Sequence, residues 1–286
     1  MKLNSAFDLD LTLCCGQVFR WQKTGGWWFG IVNDKPLKIR QCQDELEFAG
    51  VDADFVVDYF GLNDDLAAIS QCICKDKVIA KALKQFEGLR IIRQNPWECL
   101  ISYICATNKN IPAIQDMLQK MSKKFGEKIR FEGQEFYGFP TVEKLAKASG
   151  ADLKSCSLGY RAKYLKETSQ KILESNFDLE SLKVLPYADA KKALLDFPGV
   201  GAKVADCILL FSLGKTEAFP IDVWVKRIML KYYGNCLPKE MVEEMSKHKS
   251  PTPSEYKCLN DFGRSYFGKY AGYAQEYLFH YERTLR

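Results

Sequence analysis

The chain has 286 residues, 47% of them hydrophobic, with 41 basic and 36 acidic side chains and a formal net charge of +5. That is room for two modest domains with ample core, in a composition ordinary for a globular protein. No apolar run approaches the roughly 20 residues that span a bilayer. Asp8 and Asp10 interrupt any apolar leader. Eleven cysteines without an export signal read as reduced thiols, not as a disulfide framework. The expectation is an intracellular protein that is not exported and has no membrane partner. Residues 1–90 hold 11 Lys and Arg against 13 Asp and Glu, and the remainder hold 30 against 23. A basic C-terminal two-thirds suits a polyanionic partner, although a solvated lysine-rich surface has the same signature.

The first 50 residues read as an antiparallel meander. Gln17–Trp21 alternates, and Trp27–Val32, Leu37–Gln41 and Leu46–Phe48 continue in strand-like runs. Gly25–Gly26 and Asn33–Pro36 are turn signals between them. Helical spacing takes over from Asp54 to Phe86, broken at Leu62–Asp64, and Gly88 marks a boundary. From Pro96 onward the pattern is mainly helical, through Pro96–Cys105, Ile111–Phe125, Pro140–Ala148, Ala162–Glu174, Tyr187–Asp196 and a last helix at Ala271–Glu282. The fold class expected is α+β. An N-terminal antiparallel sheet with helices over residues 1–90 would precede a mainly α-helical domain over 91–286.

Leu194–Asp222 carries the chemistry. Pro198 stops one helix, Gly199 and Gly201 supply the freedom for a short hairpin, and Ala202–Leu213 starts the next helix. Amides at a helix start point outward together with the positive dipole end, so the hairpin can grip one phosphate without reading a base. Lys203 falls in the first turn of that helix, where a cation is unwelcome, which makes it a candidate amine nucleophile. Asp222 follows Pro220 and looks like the N-cap of the next helix, a fixed carboxylate able to stabilise a nearby cation. Taken singly, Lys203 reads better as a surface residue paired with Asp206 at i+3, and Asp222 better as a plain cap. An amine beside a carboxylate on a phosphate-gripping hairpin suits attack on a sugar C1′.

The combination resembles the helix–hairpin–helix DNA glycosylases, in which a lysine at position 203 marks the bifunctional members. Six motifs sharpen this to the 8-oxoguanine DNA glycosylases of the eukaryotic type. They are Gly16–Trp21, Arg93–Cys99, Asn108–Asn110, Leu158–Ala162, Pro198–Cys207 and Tyr270–Gln275, all in the family's order. The resemblance runs from near residue 10 almost to the C-terminus. It implies a bifunctional glycosylase and AP lyase of base excision repair that binds double-stranded DNA as a monomer and needs no cofactor. It implies Lys203 and Asp222 as catalytic residues. The Gly16 carbonyl would accept from the N7–H that only the oxidised base carries, Gln275 would read its Watson–Crick edge, and Cys207 and Phe279 would sandwich it. Lys203 and Cys207 share a helix face by their i, i+4 spacing, as do Gln275 and Phe279. Simple core packing would satisfy Cys207 and Phe279 equally well.

On the DNA side the resemblance makes Tyr160 the wedge and turns Asn108 and Arg161 toward the orphaned base, with Asn110 in the same loop. It places phosphate on the amides of Gly199, Gly201 and Val204. Two positions depart from the family. Ala113 stands where a cytosine-reading arginine is usual, and Trp224 stands where a phosphate-contacting histidine is usual. One bidentate base contact is worth about 1–3 kcal/mol of discrimination, so Ala113 predicts a weak preference for cytosine opposite the lesion. Only Cys236 and Cys258 follow Cys207, too few for an iron–sulfur cluster, and Cys72–Ile73–Cys74 lacks partners for zinc, so no metal ligand set is assigned, while some relatives hold a cation on hairpin carbonyls that here would be those of Leu195, Phe197 and Val200. Two other functions remain compatible with the residues. One is a glycosylase for another damaged base, and the other is a non-catalytic DNA-binding module.

Overall fold

The computed structural model describes residues 1–284. A short helix α1 (Leu9–Cys14), capped by Asp8, precedes the sheet. Strands β1 (Gln22–Thr24), β2 (Trp27–Val32), β3 (Lys35–Cys42) and β4 (Glu45–Ala49) form an antiparallel meander in sequence order. Thr24 pairs with Trp27 and Val32 with Lys35, so both hairpin loops have two residues. Gly25, Gly26, Asn33 and Asp34 all take positive φ, the geometry whose twist matches that of paired strands. The turn expected over Asn33–Pro36 is thus shorter, and Pro36 already pairs with Ile31 inside β3.

The strand expected at Gln17–Trp21 does not form. Its backbone polar groups are spent on other partners: the Gln17 carbonyl accepts from Gln94 Nε2 at 2.8 Å and from the Tyr103 hydroxyl at 3.2 Å. The buried Gln17 side chain donates to the Thr12 and Arg90 carbonyls and accepts from the Ile92 N–H. A motif with alternating polarity is therefore a knot of side-chain to backbone bonds, which a buried amide needs to offset its desolvation.

Helices α2 (Ala53–Tyr59), α3 (Leu66–Ile73) and α4 (Lys77–Gln85) follow, each capped by an aspartate: Asp52, Asp65 and Asp76. Helices α5 (Pro96–Ala106) and α6 (Ile111–Phe125) come next. A hairpin of β5 (Lys128–Phe131) and β6 (Gln134–Tyr137) interrupts the helical part. The sequence reading missed it because each strand has only four residues. It leans on the first sheet through the stacked rings of Phe29 and Phe136, 6.0 Å apart. Then come α7 (Val142–Lys147), α8 (Gly150–Ser155), α9 (Arg161–Ser175), α10 (Tyr187–Leu195), α11 (Ala202–Phe211) and α12 (Val223–Tyr233). Last are α13 (Lys239–Ser246), α14 (Pro253–Phe267) and α15 (Ala271–Thr284).

Two hydrophobic clusters result. One lies under the sheet, with Leu37, Ile39, Leu46, Val56 and Phe60 fully buried. The other runs from α3 through α5 and α11 to α15. Each buried aliphatic or aromatic side chain adds about 1.5–3 kcal/mol. α15 returns the C-terminus to the first half of the chain. Tyr277 donates to the Leu89 carbonyl at 3.1 Å, Tyr273 to Asp64 at 3.2 Å, and His280 meets the Phe86 ring edge-on at 4.5 Å. This closure sets residues near 16 against residues near 279.

Candidate active site

The hairpin is built as its residues require. α10 ends at Leu195, and the turn closes with Phe197 N–H on the Leu194 carbonyl at 3.2 Å and Val200 N–H on Phe197 at 3.1 Å. Gly199 sits at φ +81°, and a Cβ there would stand 2.9 Å from Cβ of Tyr164. Both backbone conformation and space therefore demand glycine. Two donors from α9 fasten the turn: Thr168 Oγ1 to the Pro198 carbonyl at 2.9 Å and Lys171 Nζ to the Asp196 carbonyl at 2.7 Å. Exposed Gly201 opens α11 without a capping side chain, which leaves the first-turn amides, Val204 among them, free of such a partner.

Lys203 is half-buried, with Nζ 5.0 Å from the ring centroid of Tyr103. Tyr103 was not singled out in the sequence. It is buried, its hydroxyl holds the Gln17 carbonyl, and its ring stacks on Phe211 at 5.6 Å. Its position inside an apolar helix gave no functional signal. The pairing of Lys203 with Asp206 does not occur. Asp206 is fully buried and instead accepts from Tyr187 at 2.6 Å, Lys191 at 2.8 Å and Asn260 at 3.0 Å. Asp222 does cap α12, accepting from the amides of Trp224 at 2.9 Å and Val225 at 2.8 Å.

Cys207 lies one turn beyond Lys203 and is buried. Burial pushes its thiol up to about 12, and the charges of both Lys203 and Asp222 reach it. From α15, Gln275 is buried with no partner for Oε1 among the described residues, and half-buried Phe279 lies 5.1 Å from the Arg283 guanidinium. Arg283 also donates to the Cys15 carbonyl at 2.9 Å. Gly16 takes φ +110°, and a Cβ there would lie 3.2 Å from Arg283 Nη1 and 3.8 Å from the Phe279 ring. The structure thus brings Gly16 to Phe279 and sets Cys207 one helical turn from Lys203.

One further member was missed. Glu276 is buried on α15, and its Oε2 has no partner among the described residues. Burial pushes its carboxyl up to about 7. Asp222 pushes the same way, while the nearby Cys15 thiol and the charges of Arg283 and Lys203 oppose them. The signal was available: a glutamate amid the apolar face of AGYAQEYLF.

The DNA-facing residues divide. Asn108 is exposed at φ +54°, and Tyr160 is 55% exposed. Exposed Asn110 caps α6, accepting from the Ala113 N–H at 3.0 Å. Arg161 differs from its expected placement. It is buried, 4.4 Å from the Tyr160 ring, with Nη2 on the Thr107 carbonyl, so the guanidinium does not face outward. Half-buried Trp224 carries the Arg227 guanidinium 5.0 Å from its ring. Another cavity lies elsewhere. A cavity of about 490 Å³ is lined by Phe19, Arg20, Phe29, Gln119 and Tyr137, without Lys203 or Asp222. Among the described residues no helix is long and apolar enough to cross a membrane.

Residues 1–100 match the family model of the 8-oxoguanine DNA glycosylase N-terminal domain, and residues 101–251 that of HhH-GPD superfamily base excision DNA repair proteins. The N-glycosylase/DNA lyase OGG1 of Arabidopsis thaliana is 31% identical over 96% of this chain and 77% of its own length. A "Probable N-glycosylase/DNA lyase" of Methanothermobacter thermautotrophicus is 35% identical over 73% of this chain and 68% of its own. The Clostridium acetobutylicum 8-oxoguanine glycosylase/lyase, solved with double-stranded DNA containing cytosine opposite 8-oxoG, superposes with a TM-score of 0.87 at 35% identity, covering 98% of this chain and 93% of that one. The chain therefore belongs to the 8-oxoguanine DNA glycosylases of the HhH-GPD superfamily, DNA glycosylases with AP-lyase activity.

Proposed function

We propose that the protein acts as a monomer inside the cell, extruding 8-oxoguanine from duplex DNA and excising it with Lys203 as nucleophile. The observation that carries this reading is Lys203 half-buried in the uncapped first turn of α11, with Nζ 5.0 Å from the Tyr103 ring, directly after the Pro198–Gly201 hairpin. The amides of Gly199, Gly201 and Val204 grip phosphate, and Tyr160 wedges into the space the base leaves. The Lys203 amine attacks C1′, the C1′–N9 bond breaks, and Asp222 stabilises the positive charge that develops on the sugar. The resulting Schiff base permits β-elimination and strand nicking. The Gln275 amide, whose Oε1 has no partner among the described residues, reads the base edge, Gly16 offers its carbonyl to N7–H, and Phe279 and Cys207 flank the ring. Asn108 and Asn110 line the orphaned strand, and Arg161 joins them once it leaves the Thr107 carbonyl. Residues 1–90 and 91–286 serve as the two domains that flank the lesion.

With Ala113 in the first turn of α6, no arginine is supplied there to read an orphaned cytosine. Excision should therefore vary little across the four opposite bases. The test is strand nicking of duplexes carrying one 8-oxoguanine opposite each base, by the wild-type protein and by Lys203→Gln. Nicking that requires both the lesion and Lys203 supports the reading, and undiminished nicking by Lys203→Gln overturns it. Strong cytosine preference overturns the part resting on Ala113.

A further inference from the structure

Gly16 lies between two anchored neighbours. On one side the Cys15 N–H closes α1 on the Leu11 carbonyl at 3.0 Å, and Arg283 Nη1 donates to the Cys15 carbonyl at 2.9 Å. On the other side Gln94 and Tyr103 hold the Gln17 carbonyl, while Thr12, Arg90 and Ile92 hold its side-chain amide. A glycine at φ +110° has no Cβ to restrict it, so its own carbonyl keeps one direction only while both neighbours are held. Gln17 has several anchors, whereas the Cys15 carbonyl has one partner among the described residues, an arginine 268 positions away on the last helix.

The same guanidinium fills the place a side chain on Gly16 would take. A Cβ there would stand 3.2 Å from Arg283 Nη1, 3.3 Å from Ile111 Cδ1 and 3.8 Å from Phe279 Cε1. The guanidinium carbon lies 5.1 Å from the centroid of the Phe279 ring. Phe279 and Arg283 are four residues apart on α15 and so share a helix face. Arg283 therefore meets both the loop proposed to read the lesion and the ring proposed to stack on it.

We propose that Arg283 is a positioning residue for lesion discrimination, which fixes the direction of the Gly16 carbonyl so that it meets N7–H. This rests on the base-pocket reading above. Guanine has a lone pair at N7 where 8-oxoguanine has a proton, so a carbonyl held in place there attracts one base and repels the other. A charge-assisted bond is stronger than a neutral one, which suits a loop that has glycine as its hinge. Without that bond the Cys15–Gly16 peptide is free to turn, and the Gly16 carbonyl loses the fixed direction on which the discrimination depends.

The experiment is fluorescence anisotropy of the full chain, in a Lys203→Gln background that stops cleavage. The duplexes carry one 8-oxoguanine, one guanine or one abasic site at the same position. The Lys203→Gln parent should prefer the 8-oxoguanine duplex. Adding Arg283→Met keeps an apolar stem beside Phe279 and removes the donor. It should weaken 8-oxoguanine binding by about 5- to 10-fold, the worth of one hydrogen bond, with abasic binding unchanged and guanine binding no weaker. Arg283→Lys can still donate to the Cys15 carbonyl and should recover most of the preference. An equal loss on all three duplexes in Arg283→Met overturns the proposal, because Arg283 would then act on the DNA backbone or on the fold. A parent with no preference for 8-oxoguanine refutes the base-pocket reading itself, whereas a preference that Arg283→Met leaves intact refutes only the role of Arg283.

Discussion

Replacing Glu276 with glutamine should make the protein more stable at pH 8 than at pH 4.5, relative to wild type. The carboxyl is 4% exposed, and burial raises it from 4.5 to about 7. In the unfolded chain it ionises at the lower value, while the folded protein keeps its proton until the higher one. Its contribution is therefore fully present below pH 4.5, lost as pH rises from there to 7, and constant above. At about 1.4 kcal/mol per unit, the two and a half units correspond to about 3 kcal/mol. Glutamine does not titrate and fills the same volume, so Glu276→Gln escapes that loss. Urea unfolding of both proteins at pH 4.5, 6 and 8 measures it directly. The difference in unfolding free energy should grow in favour of the variant by about 3 kcal/mol across the series, a melting shift of roughly 6–12 °C for a chain of this size. A difference that stays constant with pH would refute the reasoning, because it would mean that Glu276 ionises normally in the folded protein.

Other substitutions separate structure from chemistry. Asp222→Asn keeps the cap on α12 and removes the charge, so stability should hold within about 0.5 kcal/mol while base release slows; Asp222→Ala should lose the cap as well, about 1 kcal/mol, by thermal unfolding. Gly199→Ala combines positive φ with a 2.9 Å approach to Tyr164, and should cost about 1–3 kcal/mol and weaken binding to abasic DNA in fluorescence anisotropy. Tyr160→Ala removes a side chain that is 55% exposed, so melting should stay unchanged while lesion binding weakens. Ala113→Arg should introduce a preference for cytosine opposite the lesion of about 1–3 kcal/mol, read as the ratio of excision rates across the four opposite bases.

The hairpin was legible because its punctuation is local. Pro198, Gly199 and Gly201 fix a stop, a positive φ and an uncapped start within four residues, and Asp222 after Pro220 is a cap signal of the same kind. The first two turns of the meander were legible for the same reason. Legibility failed where backbone groups find partners far away in sequence. Gln17 reads as part of a strand until its bonds to Arg90, Ile92, Gln94 and Tyr103 are known, at separations of 73 to 86 residues. Tyr103 looked like core because it is core, and only the fold sets Lys203 above its ring. Arg161 reads as a surface base contact, but the free protein has a better use for it on the Thr107 carbonyl. Glu276 was visible as an acid inside an apolar helix, yet the groups whose charges reach it come from residues 15, 103, 203 and 222, which no local pattern joins.

The most direct measurement is borohydride trapping on a duplex with one 8-oxoguanine, with an undamaged duplex and Lys203→Gln as controls. A covalent adduct that needs both the lesion and Lys203 is the predicted result, and would establish substrate, nucleophile and Schiff base together. Intact lesion binding without any adduct, or an adduct that persists in Lys203→Gln, would contradict the account.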